Sequence, residues 1–577
     1  MKTTLTLALT LLLHLSCAQN FNYQWGRRMG ADNTIGNSST IGTIILSDAN
    51  GNVYSAGIFS DTVDFDTGPG LELLTSSSSS DIYIQKLDVA GNYLWTRQIK
   101  GPSLKMPVAI SATGAGEIWI LGTFNGTIDL DPDTGNVSTF TSLGDNDIFL
   151  LKLDANGNYL TAKQFGNSLA DNAGGLDIDA VGNIYLTGTF RGTFDADPSA
   201  GSFPLVSNGL DDIFWMKLNA AGNLIWAKSL GGPSVEIAAE IKVDGAGNVF
   251  TTGTTLSTVD LDPGPGTDIV TFPYYGIATF INKLDPAGNQ IWTKCFQPHT
   301  QVNSCIVSAM YFDDDGNIYT TGYIEFTIDF NPDDVAVNEL TSASGSRDIF
   351  ICKLDSSGGF VWAKVLGSSN IENGNTIQVD HVGNSYISGT YSVSVDFDPD
   401  SVSTYYLTPA ASLGNFLLKL DSNGDFVWAT NLSGIPINGN FSYLDNNMNY
   451  YITGQFGGTL DFDPGPATEL LASTPGTGSA YVVKINLPLA VGIKDNISNE
   501  AVTLSPNPTS GMIALHSDEK LMDATITIFS ATGKIIQHDA HVNGHELQFD
   551  LRNSAAGIYL LQITIGGKLK TYKIIKE

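Results

Sequence analysis

Short stretches in which apolar and polar residues alternate recur along the chain, each bounded by Gly, Asn or Asp. DIYIQKLD from Asp81, DIFLLKLD from Asp147, DIFWMKLN from Asp212 and DIFICKLD from Asp348 have the two-residue period of a half-buried strand. A Gly-Asn turn and a strand centred on Trp follow, as in GNYLWTRQI from Gly91, GNLIWAKSL from Gly222 and GNQIWTKCF from Gly288. A third strand ends in Asp, as in IKVD to Asp244, and a further turn leads into GNVYSAGIF from Gly51, GNIYLTGTF from Gly182 or GNIYTTGYI from Gly316. An Asp-x-Asp stretch then closes each unit. It reads VDFDTGPG from Val63 and returns from Ile128, Phe194, Val259, Ile328, Val395 and Leu460.

The first Asp of these seven stretches falls at 64, 129, 195, 260, 329, 396 and 461, so the spacings are 65, 66, 65, 69, 67 and 65 residues. So regular a period means a repeat architecture. In the Asp-x-x-Gly-Asn turns (Asp48/Gly51, Asp88/Gly91, Asp179/Gly182, Asp421/Gly424) the Asp can accept backbone N–H groups and the Gly supplies a positive φ. Met448 stands at the Gly position of the last copy, which predicts a strained or different turn. Four short antiparallel strands per unit, repeated in tandem, predict an all-β chain: a seven-bladed β-propeller closed by the N-terminal strand, followed by a small C-terminal β-sandwich. The closure follows from the ends of the array. The last unit has AYVVKIN from Ala480 but no Trp strand, whereas FNYQWGRRMG from Phe21 is a Trp strand without a unit, its Trp25 matching Trp95, Trp226, Trp292, Trp362 and Trp428. Pairing the two removes an exposed edge. The expected division is a leader at 1–18, the propeller at 19–487, a linker at 488–500 and a C-terminal domain at 501–577.

Past Pro488 the period stops, and short alternating strands follow. Pro506-Asn507-Pro508-Thr509-Ser510-Gly511, Gly533-Lys534, Gly557-Ile558-Tyr559 and the terminal Lys573-Ile574-Ile575-Lys576 form a motif series. With these motifs the segment resembles the C-terminal sorting domain (type A) of Bacteroidota proteins exported by the type IX secretion system. Ser505 stands where many members have Tyr. The resemblance implies engagement of the type IX secretion machinery through Pro506, Asn507, Pro508, Gly511, Gly533, Lys534, Gly557 and Tyr559. It also implies passage through the periplasm and across the outer membrane, then removal of the domain or attachment at the cell surface. The upstream repeats look like the secreted β-propeller repeats found ahead of such domains.

The N-terminus fits export. Lys2 precedes an apolar run from Leu5 to Leu15, and Ser16-Cys17-Ala18 offers small residues for cleavage before Gln19. Lipidation of Cys17 is the alternative, but His14 stands where a lipobox usually has Leu. No later stretch has the ~20 apolar residues of a transmembrane segment. A net charge of −31 argues against nucleic acid as a partner, since its phosphates need a basic surface. From Ala501 onward acids and bases balance at seven each, so the excess acid belongs to the propeller, where the Asp-x-Asp stretches alone hold thirteen Asp. In an oxidising compartment Cys295 and Cys305 could form a disulfide across the loop between them. Cys352 has the setting of a small buried residue.

What the acids do has two readings. As Ca²⁺ ligands, Asp64 and Asp66, Asp129 and Asp131, Asp195 and Asp197, Asp260 and Asp262, Asp396 and Asp398, and Asp461 and Asp463 would converge pairwise, because residues two apart on an extended segment share a side. Asp81, Asp147, Asp212 and Asp348 would add a third carboxylate, but Ala278, Gly414 and Ser479 occupy that place elsewhere. As turn formers, the same Asp would bind backbone N–H groups. The turn reading is preferred, and no cofactor is required. His538, His541 and His545 have a spacing that zinc could use, but a solvated loop explains them more simply. The Trp strand is assigned to core packing ahead of a sugar platform. No nucleophile elbow, phosphate loop or metalloprotease motif appears. The preferred function is a secreted or cell-surface, monomeric, non-catalytic propeller that binds an extracellular protein or polysaccharide. The alternative is a polysaccharide lyase or glycoside hydrolase with its acids in the propeller channel. An enzyme should break the seven-fold pattern with clustered polar residues.

Overall fold

A computed structural model describes residues 21–487 and 502–576 apart from short gaps, the longest at 31–37 and 433–440. The proposed leader at 1–18 and linker at 488–500 fall outside the described residues. The chain divides into two compact units, Met1–Pro488 and Leu489–Glu577.

In the first unit the alternating stretches become strands of seven antiparallel sheets, each with a four-stranded core. The first sheet is Ser39–Ser47, Val53–Ser60, Asp81–Leu87 and Tyr93–Ile99. Ser39–Ser47 and its six counterparts (Lys105–Ala112, Asn172–Ile178, Glu236–Val243, Ser304–Phe312, Asn373–Val379 and Phe441–Leu444) abut one another in a cycle, the last against the first. Asn22–Met29 pairs antiparallel with Ser479–Asn486 and completes the seventh sheet, with Trp25 opposite Lys484 and Met29 opposite Ala480. Seven apolar clusters lie between neighbouring sheets. One joins Trp25, Met29 and Val482 of the seventh sheet to Ile45, Phe59 and Tyr83 of the first. Each sheet thus buries both faces against its neighbours, which is how an array of short strands acquires a continuous core.

The sheets do not begin where the sequence units were drawn. The strand leading into the turn Asp is the first of its sheet, the Trp strand is the last, and the Asp-x-Asp stretch lies in the connection between the second and third strands. A circular array has no natural start, so the period alone left this frame open.

The repeated residues have repeated jobs. Asp48 Oδ1 accepts the amides of Asn50 and Asn52, both at 2.9 Å, while Oδ2 accepts Asn52 Nδ2 at 2.8 Å. Trp25 Nε1 donates to Val89 O at 3.1 Å, in the neighbouring sheet's turn. Trp95, Trp226 and Trp362 do the same to Ala155, Pro286 and Ser422. The indole lies under the turn glycine. A Cβ at Gly91, where φ is +76°, would fall 2.6 Å from the Trp25 ring, so this position requires glycine twice over. Met448 adopts φ 62° and donates its amide to Asp445 O at 3.0 Å, so the turn is retained with a left-handed non-glycine residue. Its side chain is buried in the cluster beneath.

The Lys of each KLD-like strand end sits over the aromatic ring opposite it. Lys86 and Tyr54, Lys152 and Trp119, Lys217 and Tyr185, Lys283 and Phe250, Lys353 and Tyr319, Lys419 and Tyr386, and Lys484 and Tyr451 all place Nζ between 4.7 and 5.4 Å from the ring centre.

The second unit is a five-stranded antiparallel assembly. The long strand Met512–Ser530 pairs with Val502–Ser505, Ile535–Asp550 and Gly557–Ile565, and Lys568–Lys576 pairs with the last of these. Both halves of the long strand, through Ile513 and Leu515 and through Ile526 and Ile528, contribute to one apolar core.

Candidate functional site

The Asp-x-Asp stretches sit at the ends of two-stranded ribbons such as Thr62–Asp64 with Leu73–Thr75. Asp64 Oδ1 accepts the amides of Asp66 at 3.0 Å and Glu72 at 2.9 Å, closing the loop across eight residues. Asp129, Asp195, Asp260, Asp329, Asp396 and Asp461 repeat this pair of bonds, to the residue two on and to one eight or nine on. The second Asp turns to a further amide: Asp66 accepts Gly68 N at 2.7 Å, and Asp131, Asp197, Asp262, Asp398 and Asp463 bind likewise. Its other oxygen fills the space under the loop. A Cβ at Gly70, Gly201 or Gly266 would lie 2.0, 2.2 or 2.1 Å from it. At Asp195 burial pushes the carboxyl up, but the amides of Phe203 and Asp197 outweigh it and hold it below the ordinary value.

Asp81, Asp147, Asp212 and Asp348 do not join these loops as a third carboxylate. They are buried and bind the segment just before, through the amides of Ser77, Leu143, Asn208 and Ala343. Among the described residues no three His, Cys, Asp or Glu side chains gather as a metal-binding group.

Where the seven-fold pattern breaks is the cycle of first strands. Two residues before each turn, in sheet order, stand Leu46, Ser111, Asp177, Lys242, Tyr311, Gln378 and Tyr443. The charged members interact across sheets. Lys242 Nζ is 3.0 Å from Glu240 Oε1, and burial, which lowers its pKa, is outweighed by Glu240 and Asp177, leaving it well above the ordinary value. Asp177 is raised by burial despite Lys242, and its Oδ2 accepts Val243 N from the next sheet at 2.8 Å. Glu240 Oε2 likewise accepts Met310 N at 2.6 Å, one sheet further. Tyr311 and Tyr443 feel the same charges. Sequence reasoning missed this cluster, although its signal was present: aligning the seven first strands on their turn residue, Asp in six and Thr113 in the second, exposes a column in which only Tyr recurs.

Cys295 and Cys305 are free thiols, which corrects the disulfide. They face different apolar clusters, on either side of the fourth sheet, and burial pushes both up to about 12. Cys352 is buried as expected. Five of the Trp side chains are enclosed rather than displayed, Trp25, Trp95, Trp226, Trp362 and Trp428 being at most 9% exposed, and Trp292 is half-buried against the cluster between the fourth and fifth sheets. His538, His541 and His545 lie on the strand Ile535–Asp550 and not in a loop. Of the sorting motif, Pro506, Asn507, Pro508, Gly533 and Lys534 fall outside the described residues. Gly511 has φ +144° and packs against Arg552, Gly557 opens its strand opposite Lys576, and Tyr559 is buried in the core. Among the described residues no helix is long and apolar enough to cross a membrane.

The chain is 23% identical over 490 residues to an uncharacterized WD repeat-containing protein of Acanthamoeba polyphaga mimivirus, covering 72% of this chain and 35% of that protein. It therefore spans about a third of that relative's length. Similar solved structures include a protein of unknown function from Bacteroides caccae, 12% identical, with 60% of this chain and 89% of that one covered at a TM-score of 0.27. Another is the extracellular domain of a putative hybrid two-component system from B. thetaiotaomicron, 10% identical, with coverage of 95% and 100% at a TM-score of 0.18. Residues 503–577 match the secretion system C-terminal sorting domain, so the chain is an all-β array of repeated four-stranded sheets with a type IX sorting domain that directs it to the cell surface or out of the cell.

Proposed function

We propose that the exported propeller is a non-catalytic binding protein for an extracellular protein or polysaccharide, acting as a monomer, and that recognition uses the cycle of first strands. One observation carries this reading. That cycle offers six kinds of side chain from seven sheets, apolar, hydroxyl, acidic, basic, amide and aromatic, with Tyr alone occurring twice, while its carboxylates are already engaged by the amides of Val243 and Met310. A general acid or nucleophile needs a carboxyl free to meet substrate. The test is a glycan array and polymer-depletion assay with the full chain, wild type against Tyr311→Ala with Tyr443→Ala. Binding that the double variant loses supports the reading. Binding that it leaves unchanged moves recognition elsewhere.

The enzyme alternative, a polysaccharide lyase or glycoside hydrolase, draws support from the same break in the seven-fold pattern, where Asp177, Glu240 and Lys242 gather in one stretch of the cycle and burial raises the Asp177 carboxyl. Release of reducing ends or unsaturated sugars by the wild type, abolished in Asp177→Asn, would replace the binding reading with a catalytic one.

A further inference from the structure

The junctions between sheets carry buried charge that the loops and the channel leave unexplained. At the junction of the first and second sheets, Lys105 Nζ lies 2.9 Å from Asp81 Oδ1, with both side chains essentially inaccessible. The carbonyls of Ser80 at 2.6 Å, Gly101 at 2.5 Å and Ser103 at 3.1 Å also face the ammonium. In the repeat register, Asp81 corresponds to Asp147, Asp212 and Asp348, and Lys105 to Asp171, Glu236 and Glu372. Three junctions therefore set a second carboxylate where the first sets an ammonium, and all six acids are buried.

The local chain has followed the change of sign. Four residues before Lys105 the carbonyl of Gly101 turns in, whereas at the acid junctions the amides of Asn167, Gly232 and Ser368 turn in, at 2.7, 2.8 and 2.9 Å. These bonds satisfy one carboxylate of each pair. At two junctions the facing one is less complete, for Asp147 Oδ1 and Asp212 Oδ1 are fully buried and accept no hydrogen bond from the described residues, whereas at the third Asp348 Oδ1 accepts Ser346 Oγ at 3.1 Å. Glycine lines the other side, since a Cβ at Gly166, Gly231 or Gly367 would fall 2.3, 1.9 or 2.1 Å from the Asp147, Asp212 or Asp348 carboxyl carbon. At the first junction that place is Lys100.

The charged groups acting on these acids are mostly other acids. Burial first, then Asp147 and Asp211, raise Asp171 to about 7 against the amides of Asn167 and Arg191. Burial, then Glu236 and Asp211, raise Asp212 to about 7, and burial, then Glu372, raises Asp348 to about 6. Of the nearby cations, Arg191 is held by both oxygens of Asp211, and Arg347 by Glu325. Two buried carboxylates without a cation are costly.

We propose that the pairs Asp147/Asp171, Asp212/Glu236 and Asp348/Glu372 each take up one hard divalent cation of the Ca²⁺ class, which neutralises its sheet junction as the Lys105 ammonium neutralises the first. Carboxylate oxygens suit such an ion, and Ca²⁺ tolerates irregular shells completed by backbone oxygens and water. Binding to the folded form alone stabilises by mass action. The pairs belong to the junctions and are separate from the Asp-x-Asp loops.

The full chain is stripped with chelator and titrated with Ca²⁺ at pH 7.5, with melting temperature and Tb³⁺ luminescence as readouts. The expected result is a rise in melting temperature of several degrees and about three ions per chain. Neutralising the pairs (Asp147→Asn with Asp171→Asn, Asp212→Asn with Glu236→Gln, Asp348→Asn with Glu372→Gln) should raise the metal-free melting temperature and abolish the response. Should that variant not fold, Asp171→Lys, which copies the first junction, should remove one ion from the stoichiometry. Three outcomes overturn the proposal: no response to Ca²⁺ in the wild type, as when shared protons neutralise the pairs; a response that survives neutralisation but is lost in Asp195→Ala with Asp197→Ala; or a stoichiometry that Asp171→Lys leaves unchanged.

Discussion

The outer parts of the sheets and the inner cycle of strands follow opposite rules. Outside, each sheet repeats nearly the same components: a turn Asp with its glycine, a Trp reaching into the next turn, a Lys over an aromatic ring, and an Asp that staples its loop. Inside, the position two before the turn changes from Leu46 to Ser111, Asp177, Lys242, Tyr311, Gln378 and Tyr443. Components that every sheet needs are those that hold sheets together. Residues that differ from sheet to sheet at one geometric position are free of that demand, and function can use them. Breaking outer components should therefore cost stability, and changing inner ones should cost little.

The largest effect belongs to the strand that closes the ring. Deleting 21–29 removes Trp25 and Met29 from the cluster between the seventh and first sheets and leaves Ser479–Asn486 as an open edge. Loss of a single cooperative melting transition and formation of aggregates in size-exclusion chromatography are expected. A monomeric variant that melts like the wild type would contradict closure by this strand.

Next comes the clamp between sheets. Trp95→Ala removes a nearly buried indole and the bond to Ala155 O. Large-to-small changes of this kind cost about 3–5 kcal/mol, to be read from denaturant midpoints. The loop staples should cost less. Asp195→Ala with Asp197→Ala leaves the amides of Asp197, Phe203 and Ser199 without their acceptors near the surface, a loss of about 1–2 kcal/mol.

The turn aspartates also set an acid limit. The amides of Asn289, backbone first and then side chain, hold the Asp285 carboxyl below its ordinary value. At Asp154 burial pushes the carboxyl up, but the amides of Asn158 and Asn156, with Arg97, more than offset it. A carboxyl depressed in the folded state contributes stability that is present above its unfolded pKa of about 3.9 and is lost as pH falls through the folded value. Melting temperature should therefore drop below about pH 4. Asn219 already takes the Asp place in the third sheet, accepting the amides of Ala221 and Asn223. Asp285→Asn should thus keep its turn while making the acid limb shallower. An unchanged limb would show that this turn does not contribute to it.

Much of this was legible in the chain because the repeat acts as its own alignment. The period marked the four strands of each unit, the unpaired Trp strand at Phe21 pointed to its pairing with Ser479–Asn486, and the Asp spacing pointed to the amide-accepting turns. The failures have physical causes. The sheet frame was ambiguous because a cycle can be cut anywhere. The pairing of Cys295 with Cys305 failed because nearness in sequence does not fix which face of a sheet a side chain takes. The junction acids were considered only as a third carboxylate for the Asp-x-Asp loops because they act across sheets, between residues such as Asp147 and Asp171 whose nearness depends on where the chain turns. The Lys of each KLD-like end was visible in every unit, yet its role required knowing which aromatic lies opposite.

The smallest effect is expected at Gln378, and it tests the inner rule most directly. Its Oε1 is buried and accepts no hydrogen bond from the described residues. In the first sheet the same position is Leu46, only 5% exposed. An unsatisfied buried polar atom costs about 1–3 kcal/mol, and replacement by an apolar group of similar shape can be neutral or favourable. Gln378→Leu should therefore leave stability within about 1 kcal/mol of the wild type or raise it slightly. If the channel recognises a ligand, the same change should weaken binding while the melting temperature holds. A loss of stability as large as that of Trp95→Ala would mean that Gln378 belongs to the framework, and the contrast between a uniform outside and a varied inside would no longer separate structure from function.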